Sequence, residues 1–171
     1  MKKGKIFIYP TDTIYGIGCD AVNKFSVLKI REIKRREEKP FSVIAPSKEW
    51  IRKNCFVNSV VDKWISKLPG PYTLILELKN CEAVSNKLNN GIDSLGIRIP
   101  SHWFSEIISE FNKPFVTTSV NLTGEPYMKK FDELEDEIKK GVDYVIYEGI
   151  LDNKASKIVM FIDGREEVVD R

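Results

Sequence analysis

Lys5-Ile6-Phe7-Ile8-Tyr9-Pro10-Thr11-Asp12-Thr13-Ile14-Tyr15-Gly16-Ile17-Gly18-Cys19-Asp20-Ala21 is the stretch on which the reading of this chain turns. Lys5 to Pro10 reads as a buried strand: short, apolar, β-branched and aromatic, and closed by proline. Just beyond it lie two hydroxyls, a carboxylate and a phenol, from Thr11, Thr13, Asp12 and Tyr15. Groups of this kind orient a small polar ligand by hydrogen bonds. The same residues also fit a tight turn capped by Asp and Thr, and their order does not separate the two readings. Gly16-x-Gly18-x-x-Ala21 matches a dinucleotide fingerprint, which requires glycine directly after the strand and a helix opening inside the motif. Here a polar loop intervenes and the helix signal waits until Asn23. The glycines are therefore assigned to the turn, and a Rossmann site is set aside.

Outward from this stretch, helices and strands interleave. Asn23 caps a helix running to about Glu38, with Phe25, Val27, Leu28, Ile30 and Ile33 as its apolar face. Phe41 to Ala45 is a strand. Ser47 caps a short helix through Lys53, and Ser59 to Leu68 forms another. Leu68-Pro69-Gly70-Pro71 is a rigid turn, because two prolines and a glycine suit neither a helix interior nor a central strand. Strands follow at Tyr72–Leu78 and Leu95–Ile99, a helix at Ser101–Phe111, and a strand at Phe115–Val120. Phe131 to Lys140 reads as a surface helix. Val142–Tyr147, Lys157–Ile162 and Glu166–Val169 read as closing strands, the last two joined at Asp163-Gly164. This order predicts an α/β (α+β) fold with a mixed sheet, and the absence of repeats or linkers makes residues 1–171 one domain.

Composition narrows the function classes. The 171 residues are 42% hydrophobic and 30% charged, which suits a globular protein. With 27 basic and 25 acidic residues the net charge is +2, so bulk charge does not announce a nucleic-acid binder. The longest apolar stretches fall far short of the ~20 residues of a membrane span. The basic start, Met1-Lys2-Lys3, runs into too short an apolar stretch for a signal peptide, which gives a cytoplasmic address by default. Cys19, Cys55 and Cys81 are odd in number and widely spaced, and His102 is the only histidine. A zinc site, a disulfide framework and a Ser-His or Cys-His catalytic system are accordingly not expected. His102 is assigned a structural role.

Three further segments carry chemistry. Lys34-Arg35-Arg36 with Lys39 places cations at a helix end, where they can clamp polyphosphate. Taken alone the cluster reads as a solvated helix C-terminus, since Glu37 and Glu38 offset its charge. Arg98 lies between Ile97 and Ile99 in a strand, where a charged side chain needs a ligand, a partner charge or an edge. Recognition of a ligand carboxylate and an edge position facing water are equally compatible with it. Thr117, Ser119 and Asn121 alternate and therefore share one strand face, either a row of ligand contacts or an exposed polar face. No Gly-x-x-x-x-Gly-Lys-Ser/Thr occurs, so an ATP site here is not a P-loop.

Together these segments resemble the YrdC/Sua5 family. Tyr9-Pro10-Thr11-Asp12-Thr13-Ile14-Tyr15-Gly16, the Lys-x-Arg at Lys34, Lys39-Pro40-Phe41-Ser42-Val43, Pro69-Gly70-Pro71-Tyr72-Thr73, Gly96-Ile97-Arg98-Ile99-Pro100 and Ser119-Val120-Asn121-x-x-Gly124-x-Pro126 stand in that family's order. The resemblance covers about Lys5 to Ile162. It implies a YrdC-like twisted mixed sheet, flanked by helices, with a concave substrate cavity. It also implies an L-threonylcarbamoyladenylate synthase that converts L-threonine, bicarbonate and ATP, with Mg2+, into threonylcarbamoyl-AMP and pyrophosphate. The product passes to a tRNA threonylcarbamoyl transferase for t6A modification.

By the same resemblance Thr11, Arg98 and Thr117 contact threonine. Lys34, Arg36, Lys39, Ser94, Ser119 and Asn121 contact ATP, and Lys34 and Arg36 act in catalysis on its phosphates. No metal ligand from the protein is implied. The chain departs from the pattern at three points. The first strand starts almost at Met1, the spacing to Lys39-Pro40 lets Arg35 compete with Arg36, and Tyr127 stands where a small hydroxyl residue is usual. The second domain of longer members is not found, which corresponds to a short form. The competing readings are a double-stranded RNA- or tRNA-binding module of the same fold, whose affinity can also coexist with the enzyme, a carbamoyl-transfer module, and a purely structural domain.

Overall fold

A computed structural model describes residues 4–162 and 164–170. Nine strands appear among these residues: β1 (Phe7–Tyr9), β2 (Gly16–Gly18), β3 (Ser42–Ile44), β4 (Tyr72–Glu77), β5 (Ser94–Arg98), β6 (Phe115–Ser119), β7 (Tyr144–Val145), β8 (Lys157–Ile162) and β9 (Arg165–Val169). They form one mixed sheet in the order β7-β1-β2-β6-β3-β5-β4-β8-β9. The helices are α1 (Lys24–Lys34), α2 (Lys48–Asn54), α3 (Ser59–Ser66), α4 (Asn86–Asn89), α5 (Phe104–Phe111) and α6 (Asp136–Gly141). The expected α/β fold with a mixed sheet is thus what the chain adopts.

Alternation along the strands gives the sheet two unlike faces. One carries Ile8, Ile17, Val43, Val116, Ile97 and Leu74, which join Val27 and Ile30 of α1, Ile51 of α2, Ile65 of α3 and Ile138 of α6 in the main core. The other carries Ser42, Gly96, Arg98 and Thr117 at its centre. At one end of that face Tyr9, Ile44 and Phe115 pack against Phe104 and Ile108 of α5 in a smaller core. The Tyr9 and Phe104 rings stack at 4.1 Å. The centre of this face is thereby left open and polar.

Three predicted helices and one strand change shape for identifiable reasons. Asn23 caps α1 as expected, accepting from the amides of Phe25 and Ser26. The helix stops at Lys34, however, because Arg35 turns left-handed with φ 49°. The Arg31 guanidinium then gathers the carbonyls of Arg36, Glu37 and Lys39 and holds the following loop. Phe25 is 81% exposed, so it stands outside the apolar face that Val27 and Ile30 form. α5 begins at Phe104 and not Ser101. Phe131–Lys140 resolves into a 3-10 turn, Phe131–Glu133, and the short α6. The strand read at Val142–Tyr147 pairs only over Tyr144 and Val145, after which the chain leaves the sheet.

β2 was assigned to a turn and is a central strand, paired antiparallel to both β1 and β6. Its glycines act through close approach. A Cβ on Gly18 would fall 1.8 Å from the Val116 carbonyl oxygen, and one on Gly16 would fall 3.0 Å from the Tyr9 ring. In the expected Asp163-Gly164 turn, Asp163 lies outside the described residues, and Gly164 has φ 75°. Cys19 and Cys55 are buried and Cys81 is exposed, and none is paired. Burial pushes the Cys19 and Cys55 thiols up, which leaves them unreactive. No helix among the described residues is long and apolar enough to cross a membrane.

The close approach at β2 has a measurable consequence. Gly18→Ala should lower unfolding stability by about 2–3 kcal/mol, and Gly16→Ala by about 1 kcal/mol, in urea titrations followed by circular dichroism. Equal costs for the two would show that the backbone contact at Val116 is not the constraint.

Candidate functional site

The open polar face forms a pocket of about 300 Å³ lined by Thr11, Ile14, Tyr15, Gly16, Arg36, Pro40, Ser42, Thr73, Arg98, Thr117, Thr118, Ser119, Tyr127, Ala155 and Ser156. Five of the nine residues singled out from sequence are therefore brought together, although they are separated by more than a hundred positions. These are Thr11, Arg36, Arg98, Thr117 and Ser119. Lys34, Lys39, Ser94 and Asn121 lie outside this lining.

Arg98 is buried at the end of β5. Its Nη2 donates to Asp12 Oδ1 at 2.5 Å and to Thr13 Oγ1 at 3.1 Å. The other oxygen of Asp12 accepts from the Ser101 amide at 2.8 Å. Asp12 thus locks the 10–16 loop to β5, and an edge position facing water is excluded for Arg98. Thr11 closes the same loop. Its hydroxyl donates to the Ile14 carbonyl at 2.7 Å and accepts from the Thr13 amide at 3.2 Å. The stretch is thus a hydroxyl-capped turn, and Thr11, Ile14 and Tyr15 of it line the pocket. The Tyr15 hydroxyl donates to the Gly149 carbonyl at 2.7 Å and accepts from the Glu148 amide at 3.0 Å. Partial desolvation pushes its phenol up, so it stays neutral.

Lys34 is buried beneath the end of β6. Its ammonium donates to the carbonyls of Ser119 at 2.6 Å and Asn121 at 2.7 Å, and to Asn121 Oδ1 at 3.1 Å. Asn121 Oδ1 also accepts from Ser119 Oγ at 2.6 Å. In this arrangement Lys34 staples α1 to the strand end that presents Ser119. Desolvation, with Arg36 nearby, pushes the Lys34 ammonium down to about 7. The two candidate arginines diverge. Arg35 pairs with Glu137 of α6 at 2.6 Å, away from the pocket. Arg36 lines the pocket, reaches Thr118 Oγ1 at 3.5 Å and lies over the Phe41 ring at 5.0 Å. Backbone carbonyls of Lys39 and Pro40 accept from its other nitrogens.

Sequence reading missed Ser42, Thr73, Thr118 and Ser156. Thr73 and Ser156 share a hydrogen bond of 2.8 Å across the pocket wall. Thr73 was visible only as the last residue of Pro69-Gly70-Pro71-Tyr72-Thr73. Its position in the strand, one residue off the apolar Leu74, was the available signal. No comparable signal marked Ser156, which arrives from a distant loop. Tyr127 also lines the pocket, and its hydroxyl donates to the Asn153 carbonyl at 3.3 Å.

Among the described residues no carboxylate lines the pocket. Among the described residues no group of three His, Cys, Asp or Glu side chains is placed to hold a metal ion. Mg2+ is held through carboxylates together with substrate phosphates and water. The residues present therefore do not make a resident magnesium site. What they do make is a small cavity with two guanidinium groups and several neutral hydroxyls, suited to an anionic or zwitterionic ligand.

This fold and pocket define a polar cavity of small-molecule size on the open face of a mixed sheet. A family model described as telomere recombination, for Sua5, YciO and YrdC, matches residues 1–171, and the chain belongs to that family. A protein of Methanocaldococcus jannaschii, provisionally named as a threonylcarbamoyl-AMP synthase, is 42% identical over 146 residues, which is 84% of this chain and 67% of that one. The threonylcarbamoyl-AMP synthase of Vibrio campbellii is 31% identical over 144 residues, covering 81% of this chain and 77% of that protein. The crystal structure of P. abyssi Sua5 complexed with L-threonine superposes with a TM-score of 0.84 at 23% identity, over 96% of this chain. This chain spans about half the length of that Sua5, at 49%.

The Lys34 environment yields a pH dependence. Unfolded, the side chain keeps its proton up to its ordinary value of 10.5; folded, it releases it near 7. Between these values the unfolded chain binds more protons, so this group makes stability rise with pH, and below 7 its contribution is flat. In carbon-13 spectra of lysine-labelled protein, one Cε resonance should titrate near 7. A Lys34 midpoint above about 9.5, close to an ordinary lysine, would refute this account of its burial.

Proposed function

We propose that the chain is an L-threonylcarbamoyladenylate synthase, making threonylcarbamoyl-AMP and pyrophosphate from L-threonine, bicarbonate and ATP for tRNA t6A modification. The observation that carries this is the convergence of Thr11, Arg36, Arg98, Thr117 and Ser119 on one pocket. The names of the curated relatives support the same activity. A small concavity with converging hydroxyls favours a small-molecule enzyme over an RNA-binding module.

In this reading Arg98, held by Asp12, takes the threonine carboxylate, and Thr11 and Thr117 form the wall beside it. Arg36 meets the ATP phosphates, and Ser119 with Asn121 forms the nucleotide side. The threonine amine captures bicarbonate as a carbamate with loss of water. A carbamate oxygen then bonds to the α-phosphorus while the bond to the β-phosphate oxygen breaks and pyrophosphate leaves. Such a displacement needs positioning and cations more than a protein nucleophile. Lys34 supports it by fixing the Ser119–Asn121 turn; its direct contact with phosphate, and those of Lys39 and Ser94, require the ligand to draw them in. Magnesium comes with the nucleotide. Transfer of the product to a tRNA threonylcarbamoyl transferase, any tRNA affinity, a cytoplasmic location and the unity of residues 1–171 as one domain belong to the same proposal.

The test is pyrophosphate release from ATP, measured with L-threonine and bicarbonate each withheld in turn. Release should depend on both, and release that persists without threonine would reject the proposal. Arg36→Ala should raise the KM for ATP about tenfold or more, while Arg35→Ala changes it less than about twofold. Arg98→Ala should weaken threonine use far more than ATP use.

A further inference from the structure

The connection between β7 and β8 is unusual in what it must span. β7 lies at one end of the sheet and β8 next to the other end, with β1, β2, β6, β3, β5 and β4 between them. At about 4.8 Å per strand this is at most roughly 34 Å, the width of a flat sheet, and less across a twisted one. From Val145 to Lys157 the chain has twelve residue steps. Twelve steps reach at most about 42 Å when fully extended. The segment therefore runs extended for much of its length, and it carries no secondary structure. Its contacts show which face it crosses: Tyr15, Tyr127 and Thr73 of the pocket all bond to it.

Near its start this strap is pinned by Glu148. One carboxylate oxygen accepts from the Trp103 indole nitrogen, and the other lies 3.1 Å from His102 Nε2. The Phe104 amide donates to His102 Nδ1, so the ring proton sits on Nε2 and points at Glu148. The backbone of the same residue is tied to the pocket loop through Tyr15, whose ring also stacks with Tyr147 at 5.7 Å. Farther on, the Leu151 amide donates to the Lys129 carbonyl at 2.9 Å. The strap then delivers Ala155 and Ser156 into the pocket wall. Gly149, next to the pin, has φ 96°, which permits the change of direction there.

We propose that Glu148 is a positioning residue of this pocket: by pinning an extended strap to the Trp103–His102 corner, it holds Tyr15 on one wall and Ser156 on the opposite wall. Between these points the strap is tied at Tyr15, Tyr127 and Thr73, so few residues separate one anchor from the next. Glu148 touches no lining residue through its carboxylate, so its action on ligand is indirect. Trp103 and His102, which sequence alone left without a role in the site, become the corner post of its closure.

The part of this that concerns threonine rests on the proposed synthase activity. Glu148→Ala removes both acceptors from a half-exposed position, while Glu148→Gln keeps one for the indole. In the intact chain, Glu148→Ala should raise amide hydrogen exchange in residues 149–156 about tenfold or more, with the central strands unchanged. It should raise the KM for L-threonine about fivefold or more with the ATP KM within about twofold, and Glu148→Gln should recover most of both losses. Unchanged strap exchange in Glu148→Ala overturns the pin, whatever the enzyme does. Raised exchange with an unaltered threonine KM, in a wild type that is active, overturns the positioning role. A wild type that releases no threonine-dependent pyrophosphate rejects the synthase reading instead, and the exchange result still decides the pin.

Discussion

The buried pair between Arg98 and Asp12 is the interaction on which the geometry of the pocket depends. Both side chains are nearly excluded from solvent, at 7% and 10% exposure. Desolvating two charges offsets much of their attraction, so a pair of this kind contributes more to a defined arrangement than to stability. What it defines here is the junction between the first loop and the fifth strand. Asp12 reaches from Pro10–Gly16 to the arginine and, with its second oxygen, to the Ser101 amide at the turn into α5. Two segments distant in sequence, the 10–16 loop and residues 98–101, are set by one carboxylate. Removing either partner would leave a buried charge without its counterion, which accounts for a strongly polar pair at the centre of a sheet.

The same pair explains why the sheet has two unlike faces. An apolar residue in place of Arg98 would let helices cover both sides. Instead the side facing α1, α2, α3 and α6 is mostly apolar, while the other face is packed by α5 at one end and crossed by the strap between β7 and β8. Gly96 lies across from Ser42, and a Cβ there would fall 2.4 Å from the Ser42 hydroxyl. The floor of the pocket is therefore low because the residue facing it has no side chain. Glycine at positions 16, 18 and 96 serves close approach along this face.

Much of this was legible in the sequence where local chemistry and tertiary context agree. Asn23 and Ser47 cap their helices, the apolar strands stand where alternation puts them, and Arg98, Thr117 and Ser119 share a pocket. Legibility failed where the tertiary structure overrode the local signal. Gly16-Ile17-Gly18 has weak strand propensity, its two glycines offsetting Ile17, and is a strand because β1 and β6 pair with it on both sides. Lys34 looks like a surface cation at a helix end, yet Ser119 at the end of β6 and Asn121 just beyond it supply three oxygens that draw it inside. Arg35 and Arg36 are chemically equivalent in sequence, and only a left-handed residue at 35 sends one to Glu137 and the other to the pocket. Ser156 and the strap could not be read at all, because their meaning lies in the strand order.

The charges around the pocket bear on which ligands it can hold. Arg36 and Arg98 bring two permanent cations to a small space whose lining, among the described residues, includes no carboxylate. Asp12 neutralises part of the Arg98 charge from behind, which leaves Arg98 able to orient a carboxylate without binding it as tightly as an isolated guanidinium would. Lys34 adds a third cation whose charge is weakly held at neutral pH, and it is spent on carbonyls at the strand end. An incoming polyphosphate would favour the protonated form of Lys34 and would compete for it with those carbonyls. The net charge of +2 says nothing of this, because the effective field is local and acts in a partly dewatered cavity. A pocket of fixed guanidinium groups and neutral hydroxyls, with one titratable ammonium buried outside its lining beneath the end of β6, discriminates by the placement of charge. That is the property required to hold a zwitterion and a polyanion side by side.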